Sequence, residues 1–171
     1  MRFFQCITDH NTMDRLLKLL SENAKFTTEE LSVILNDTED NIKNRIKAYE
    51  ESGIIKGYQA LVNWDKVEGA GVTAFIELKV TPKKSTGFDE IATNVSMFDE
   101  VESVYLIAGA YDLSVVVKGR TIQEIAMFVS KKLSTMDGVI STATHFLLTK
   151  YKDNGVILNN DEHEDKRSMI L

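Results

Sequence analysis

The apolar positions of this chain keep a helical period in its first third and an alternating one after residue 71. Met13, Leu16, Leu17 and Leu20 recur at i, i+3, i+4 and i+7, one face of an amphipathic helix that Asn11 or Thr12 can cap. Residues 1–12 show no such period and are read as an extension without a role in the fold. Ser21-Glu22-Asn23-Ala24 breaks the first helix. A second is expected over residues 28–35, capped by Thr27 or Thr28, with Glu29 and Glu30 in the first turn where the helix dipole favours carboxylates. After an Asn36-Asp37 turn, a third helix spans residues 38–52 and gathers Ile42, Ile46 and Tyr49 on one face. Its opposite face presents Asp40, Lys43, Asn44, Lys47 and Glu51, with Arg45 on the flank. Gly53-Ile54-Ile55-Lys56-Gly57-Tyr58 then reads as an apolar hairpin bent at Gly57.

Residues 63–71 end in two glycines and read as a hinge. Beyond them Val72, Ala74, Ile76, Leu78 and Val80 alternate as in a half-buried strand, which Thr81-Pro82 stops. Phe88, Ile91, Ala92 and Val95 form a helix face. Two strands, residues 101–108 and 111–118, are joined only by Gly109-Ala110. Ile122, Ile125, Ala126, Val129 and Leu133 form another helix face, closed by Asp137-Gly138, and a last strand covers residues 139–151. The order β-α-β-β-α-β is the ferredoxin-like split unit. The fold class is therefore α+β: a winged helix-turn-helix over residues 13–62, a hinge over 63–71 and a ferredoxin-like βαββαβ domain over 72–158. Residues 1–12 and the polar segment 159–171 are expected as flexible ends.

Bulk composition narrows the class. With 171 residues and 43% hydrophobic content the chain can build two small packed cores. No apolar run approaches the ~20 residues of a membrane span, and the opening Met-Arg-Phe-Phe-Gln-Cys-Ile does not read as a signal peptide. Cys6 is the lone cysteine, so no internal disulfide forms, and no metal or other cofactor is expected. These features read as cytoplasmic.

Charge runs against simple nucleic-acid binding. The net charge is −6, and residues 1–63 hold 8 Lys or Arg against 10 Asp or Glu. Contact with DNA must come from a local patch, with multivalency making up the affinity.

Two short helices, a tight turn and a β wing place the third helix where such a helix enters the DNA major groove. Lys43, Asn44 and Lys47 are adjacent donors for phosphates or base edges; alone, they would be a solvated helix face. Arg45 can reach a phosphate or pair with a first-helix carboxylate. Thr38 caps the helix first and meets phosphate second. Asn41 lies in the same first turn, and Lys56 and Tyr58 in the wing can touch phosphates or simply pack.

Three segments resemble one family, the Lrp/AsnC regulators of bacteria and archaea. Thr38-Glu39-Asp40-Asn41-Ile42-Lys43-Asn44-Arg45-Ile46-Lys47-Ala48-Tyr49-Glu50 looks like its recognition helix, and Gly53-Ile54-Ile55-Lys56-Gly57-Tyr58-Gln59-Ala60 like its wing. Gly109-Ala110-Tyr111-Asp112-Leu113 resembles its Gly-x-Tyr-Asp turn. The resemblance covers roughly residues 13–158. It implies a transcription factor of amino-acid metabolism that binds double-stranded DNA and an amino-acid effector. It also implies effector modules that pair sheet to sheet as homodimers and assemble into octamers or similar rings. The family's small-molecule site lies between effector modules near the Gly-x-Tyr-Asp turn, which puts Gly109, Ala110, Tyr111 and Asp112 beside it.

Each effector residue has a plainer reading as well. Gly109 can simply turn a two-residue hairpin. Asp112 is disfavoured in a strand, so it either receives an amino group or bonds the turn's own amides. Thr142 and Thr144 either line the same cleft or are β-propensity choices. For His145 no nucleophile or carboxylate partner for catalysis is identifiable in the sequence, so a strand-surface role is expected. Two rivals remain on this fold: a sirohaem-decarboxylase-like enzyme, disfavoured by scarce Arg outside the N-terminal half, and an oligomeric scaffold that no longer binds DNA.

Overall fold

The computed structural model describes residues 14–82 and 87–158. The expected extension at 1–12, Met13, the caps Asn11 and Thr12, Cys6 and the polar segment 159–171 lie outside the described residues. The chain divides into two compact units, Met1–Leu61 and Val62–Leu171.

The first unit is three helices. α1 (Arg15–Glu22) is capped by Asp14, whose carboxylate accepts from the Leu16 amide at 2.8 Å. α2 (Thr28–Leu35) opens with a capping box: Thr27 accepts from the Glu30 amide, and the Glu30 carboxylate accepts from the Thr27 amide. Asn36 closes it in the left-handed conformation, φ 51°, which Asn tolerates better than most residues. Thr38 then caps α3 (Glu39–Glu51) by accepting from the Asn41 amide. Leu16, Leu31 and Ile42 are fully buried, one from each helix, with Leu19, Leu20, Phe26, Leu35, Ile46 and Tyr49 packed around them.

The expected wing departs from its sequence reading. Residues 53–61 form no paired strands. Gly57 does not take the positive φ that a two-residue hairpin demands at its turn, and a two-stranded hairpin standing alone is marginal in water. The segment is held instead by the Ile55 amide donating to the Tyr49 carbonyl and by the Tyr58 hydroxyl donating to Glu50.

The second unit is a four-stranded antiparallel sheet with two helices on one face. β1 (Val72–Val80), α4 (Asp89–Ser96), β2 (Val101–Leu106), β3 (Leu113–Gly119), α5 (Ile122–Lys131) and β4 (Val139–Phe146) follow the split βαββαβ order, and the strands lie β2-β3-β1-β4. Ala74, Ile76, Leu78 and Val80 alternate inward with Leu113, Val115 and Val117, and Ile91, Val95, Ile125, Phe128 and Val129 cover them from α4 and α5. Among the described residues of this unit nothing covers the opposite face of the sheet: Phe75 pairs with Val116 on one side and His145 on the other, and Phe75 is 41% exposed.

Residues 63–71, read as a hinge, lie within this second unit. Trp64–Lys66 form a short 3-10 helix, Lys118 Nζ lies 5.2 Å over the Trp64 ring, and Asn63 Nδ2 donates to the Leu158 carbonyl. At the end of the segment Gly71 has φ +84°, and a Cβ there would stand 2.6 Å from the Gly119 carbonyl oxygen. Only glycine lets the chain enter β1 so close to the end of β3.

Two further boundaries differ from the sequence reading. β2 and β3 are joined by residues 107–112, with the Ile107 amide donating to the Asp112 carbonyl, so Gly109-Ala110 is not a two-residue turn. The last strand ends at Phe146, and a small ribbon follows, β5 (Lys152–Asp153) against β6 (Val156–Ile157). Asn154 and Gly155, with φ 44° and 84°, turn that ribbon.

Candidate functional site

Two groups of residues are candidates, one in each unit. On α3 the core stripe Ile42, Ile46 and Tyr49 turns inward, which leaves Lys43, Asn44 and Lys47 in solvent. Lys43 pairs with Glu39 at 3.2 Å and Lys47 with Glu51 at 3.7 Å, both one helical turn away along the surface. Such exposed pairs contribute well under about 1 kcal/mol, so either ammonium exchanges its carboxylate for a phosphate at little cost. Asn44 makes no side-chain hydrogen bond among the described residues.

The remaining residues expected at DNA are engaged within the first unit. Thr38 spends its hydroxyl on the α3 cap, and Asn41 Nδ2 donates to Asp37 at 2.6 Å. Lys56 folds back over Gly53, and the Tyr58 hydroxyl bonds Glu50 at 2.9 Å. Burial and then that bond to Glu50 hold the Tyr58 phenol above its ordinary pKa, so it stays a neutral donor.

Arg45 takes the bracing alternative. Its Nη2 donates to both oxygens of Asp14, at 2.8 and 3.0 Å, and its Nη1 lies 3.5 Å from Asp37. The Tyr49 hydroxyl donates to the same Asp14 carboxylate. Burial pushes the Asp14 carboxyl up, but the bonds from Tyr49, the Leu16 amide and Arg45 outweigh it and hold the group below its ordinary value. Asp37 is held low by Asn41 first, then by the Thr38 amide, with Arg45 adding to them. Asp14, Asp37 and Tyr49 were not singled out as functional in the sequence. The available signal was that Asp14 sits immediately before a helix, at its cap, and that Asp37 directly precedes the Thr38 cap of the next.

In the second unit Asp112 sits between β3 and β1. Its amide donates to the Leu78 carbonyl, and its Oδ2 accepts from the Val80 amide at 2.9 Å. It therefore braces a neighbouring strand rather than its own turn. Gly109 and Ala110 are exposed and Tyr111 is half-buried. Thr142 pairs with Leu78 and Thr144 with Ile76, so both threonines lie on the helix side of the sheet. Leu78 stands between Leu113 and Thr142, and two ladder spacings, roughly 9.6 Å, separate them. The chain by itself does not bring Thr142 and Thr144 to the Gly109–Asp112 turn. Thr142 instead approaches Ser134, hydroxyl to hydroxyl at 3.4 Å.

A sizeable cavity lies elsewhere, at the far end of the sheet. About 780 Å³ opens among Gly71, Gly119, Phe128, Met127, Lys131 and Arg120, and none of the expected effector residues lines it. Its charged rim is largely paired, Arg120 with Glu124 and Lys132 with Glu100.

Comparison with known proteins decides what these parts belong to. The chain is 44% identical over 156 residues to the uncharacterized HTH-type transcriptional regulator YugG of Bacillus subtilis, covering 91% of this chain and 93% of that protein. Residues 73–157 match the Lrp/AsnC ligand binding domain. The chain belongs to the Lrp/AsnC family. Another relative, the proline dehydrogenase transcriptional activator of Rhizobium radiobacter, is 28% identical over 83% of this chain and 90% of its own length. Among solved structures, a transcriptional regulator of Neisseria meningitidis in complex with L-Met aligns with TM-score 0.66 at 27% identity, over 86% of this chain and 98% of that one. AsnC of E. coli aligns with TM-score 0.61 at 25% identity, over 79% and 89%. This Lrp/AsnC chain is thus a transcriptional regulator with a DNA-binding helix-turn-helix and a ligand-binding domain, and not an enzyme. Among its described residues no helix is long and apolar enough to cross a membrane.

Proposed function

We propose that this regulator reads specific DNA sequences with the outer face of α3 and adjusts that binding in response to a free amino acid held by its second unit. The observation that carries the reading is the split character of α3. Ile42, Ile46 and Tyr49 are packed away, while Lys43, Asn44 and Lys47 stand in solvent with only exchangeable partners. Lys43 and Lys47 suit phosphates, and Asn44 suits the N6 and N7 edge of adenine. Thr38 and Asn41 before them, and Lys56 and Tyr58 beyond, flank that contact.

Regulation of amino-acid metabolism is supported by two relatives, one solved with L-Met and one named for proline dehydrogenase. In the second unit the ligand's ammonium goes to Asp112, where only Oδ2 is engaged among the described residues, and its carboxylate to the amides around Gly109 and Ala110. Tyr111 flanks them. Thr142 and Thr144 reach this ligand only from a neighbouring copy, in keeping with a site closed between modules. The uncovered sheet face around Phe75 pairs two copies, since aromatics concentrate in interface cores. Such dimers then assemble as octamers or similar rings in the cytoplasm, and multivalency offsets the acidic net charge of −6.

A thermal-shift screen of the twenty amino acids tests the sensing arm. A ligand at a hundredfold excess over its dissociation constant stabilises by roughly 2.7 kcal/mol. One or a few amino acids should raise the melting point of the wild type and leave folded Asp112→Ala unmoved. No shift with any of them would make the chain a ligand-independent regulator. For assembly, light scattering should find a dimer or larger in the wild type and a smaller species in Phe75→Asp. A stable wild-type monomer at micromolar concentration would sink that part.

A further inference from the structure

Arg45 lies on the helix expected to meet DNA, yet its surroundings turn it away from that task. Its side chain is 33% exposed, against 54% for Lys43 and 72% for Lys47 on the same helix. Both carboxylates that face it come from elsewhere in the first unit: Asp14 opens α1, 31 residues earlier, and Asp37 sits in the turn between α2 and α3. Two carboxylates around one guanidinium leave no positive charge to offer a phosphate. Each carboxylate is also fixed by its own backbone, Asp14 by the Leu16 amide and Asp37 by the Thr38 amide at 2.8 Å. Tyr49, one turn further along α3, bonds Asp14 as well.

We infer that Arg45 is a positioning residue: with Asp14, Asp37 and Tyr49 it forms a polar clamp that sets how α3 presents Lys43, Asn44 and Lys47, and it does not itself touch DNA. The physical need for a clamp is plain. Among the described residues of this unit only three side chains are fully buried, and apolar packing is non-directional, so it leaves short helices free to rotate and slide. Charge-assisted hydrogen bonds have fixed geometry, and the guanidinium fork reaches two acceptors at once. Tying the start of α1 and the α2–α3 turn to the middle of α3 removes that freedom.

The inference rests on α3 being the DNA-contacting helix, and the test separates the two. Full-length wild type, Arg45→Gln, Arg45→Lys, Asp14→Asn and the Asp14→Asn/Arg45→Gln double variant are titrated with a DNA fragment selected by the wild type, between roughly 50 and 200 mM salt. Asn caps a helix about as well as Asp, so Asp14→Asn removes charge and leaves α1 capped. Arg45→Gln and Asp14→Asn should each weaken binding roughly tenfold with the salt slope unchanged, and the double variant should lose no more than the worse single. Arg45→Lys keeps the charge but cannot span both carboxylates, so it should fail to restore wild-type affinity. Lys47→Ala, a phosphate contact, should instead reduce the slope by about one unit.

A slope reduced by one in Arg45→Gln, with full rescue by Arg45→Lys and no effect of Asp14→Asn, would overturn the clamp and make Arg45 a phosphate contact. A DNA-free arm stands apart from the function. In carboxyl NMR titrations Asp14 should return toward its ordinary value in folded Arg45→Gln, and an unmoved Asp14 overturns the clamp even if no DNA is found. Absence of DNA binding by the wild type, with the Asp14 shift present, would instead defeat the reading of α3.

Discussion

The two units solve the same problem, holding short elements in one arrangement, by opposite means. In the second unit thirteen buried apolar side chains fill the space between a sheet and two helices, and backbone ladders fix the strands in register. Its charged pairs sit at the rim. In the first unit three fully buried side chains hold three helices together, and a half-buried network of two carboxylates, an arginine and a tyrosine supplies the direction that so little packing cannot. Thickness of core is what a short helical segment lacks, and polar bonds take its place where orientation matters most. The first unit should therefore respond to charge and pH as well as to lost volume, the second to lost volume alone.

The sharpest way to break this comparison is to take volume from the thinner core. Leu31→Ala should destabilise by about 2–5 kcal/mol, comparable to the whole stability of a unit this small, at roughly 0.05–0.15 kcal/mol per residue. Hydrogen exchange should show α1 to α3 unprotected while β1 and β3 keep their protection. Loss of protection in both units together would mean that they fold as one. Next comes Asp14→Ala, which removes a helix cap and the clamp's central acceptor at a combined cost of about 2 kcal/mol. Denaturant unfolding should show the midpoint of the first unit alone moving down.

Acid gives a graded version of the same test. Asp14 and Asp37 both have folded pKa values below their unfolded values of about 3.9. Their stabilisation is complete above that pH and is lost as pH falls through the folded values. Glu100 and Glu124 are also held low, by Lys132 and Arg120 respectively, but they lie at the rim of a core that does not depend on them. Helical signal from the first unit should thus fade below about pH 4 before the sheet signal does, and simultaneous loss would contradict the contrast. The smallest effect belongs to Lys43→Ala and Lys47→Ala: stability within about 0.5 kcal/mol of wild type, with the salt slope of DNA binding reduced by about one. Asn44→Ala should leave stability equally untouched and relax base preference at one position.

Periodicity and caps made much of this architecture legible. Thr28–Leu35 could be read to the residue because Thr27 and Glu30 mark its start and Asn36 its end, and β1 because its apolar residues strictly alternate. Turns were harder. Gly57 and Gly109-Ala110 looked like two-residue hairpin turns and are not, since neither glycine takes a positive φ, whereas Asn154-Gly155 is one and lies just beyond the strand expected over residues 139–151, where no ribbon was expected. A turn signal states what a dipeptide can do, and the flanking strands decide whether it does so. On α3 the outward residues followed from helical geometry alone. The partners of Arg45 did not, because they depend on how helices 31 residues apart in sequence approach each other.

Gly71 and Gly57 look alike on paper, each a glycine at the edge of an apolar stretch, and a library of substitutions would tell them apart. At Gly57 an added Cβ meets nothing within 4 Å and the backbone is ordinary. At Gly71 it would strike the carbonyl oxygen of Gly119, which no rotamer change can move, from a conformation that only glycine enters easily. Selection for folded protein from a pool randomised at both positions should return many residues at 57 and a single letter at 71. Among the described glycines, the doorway into the sheet is then the narrowest passage.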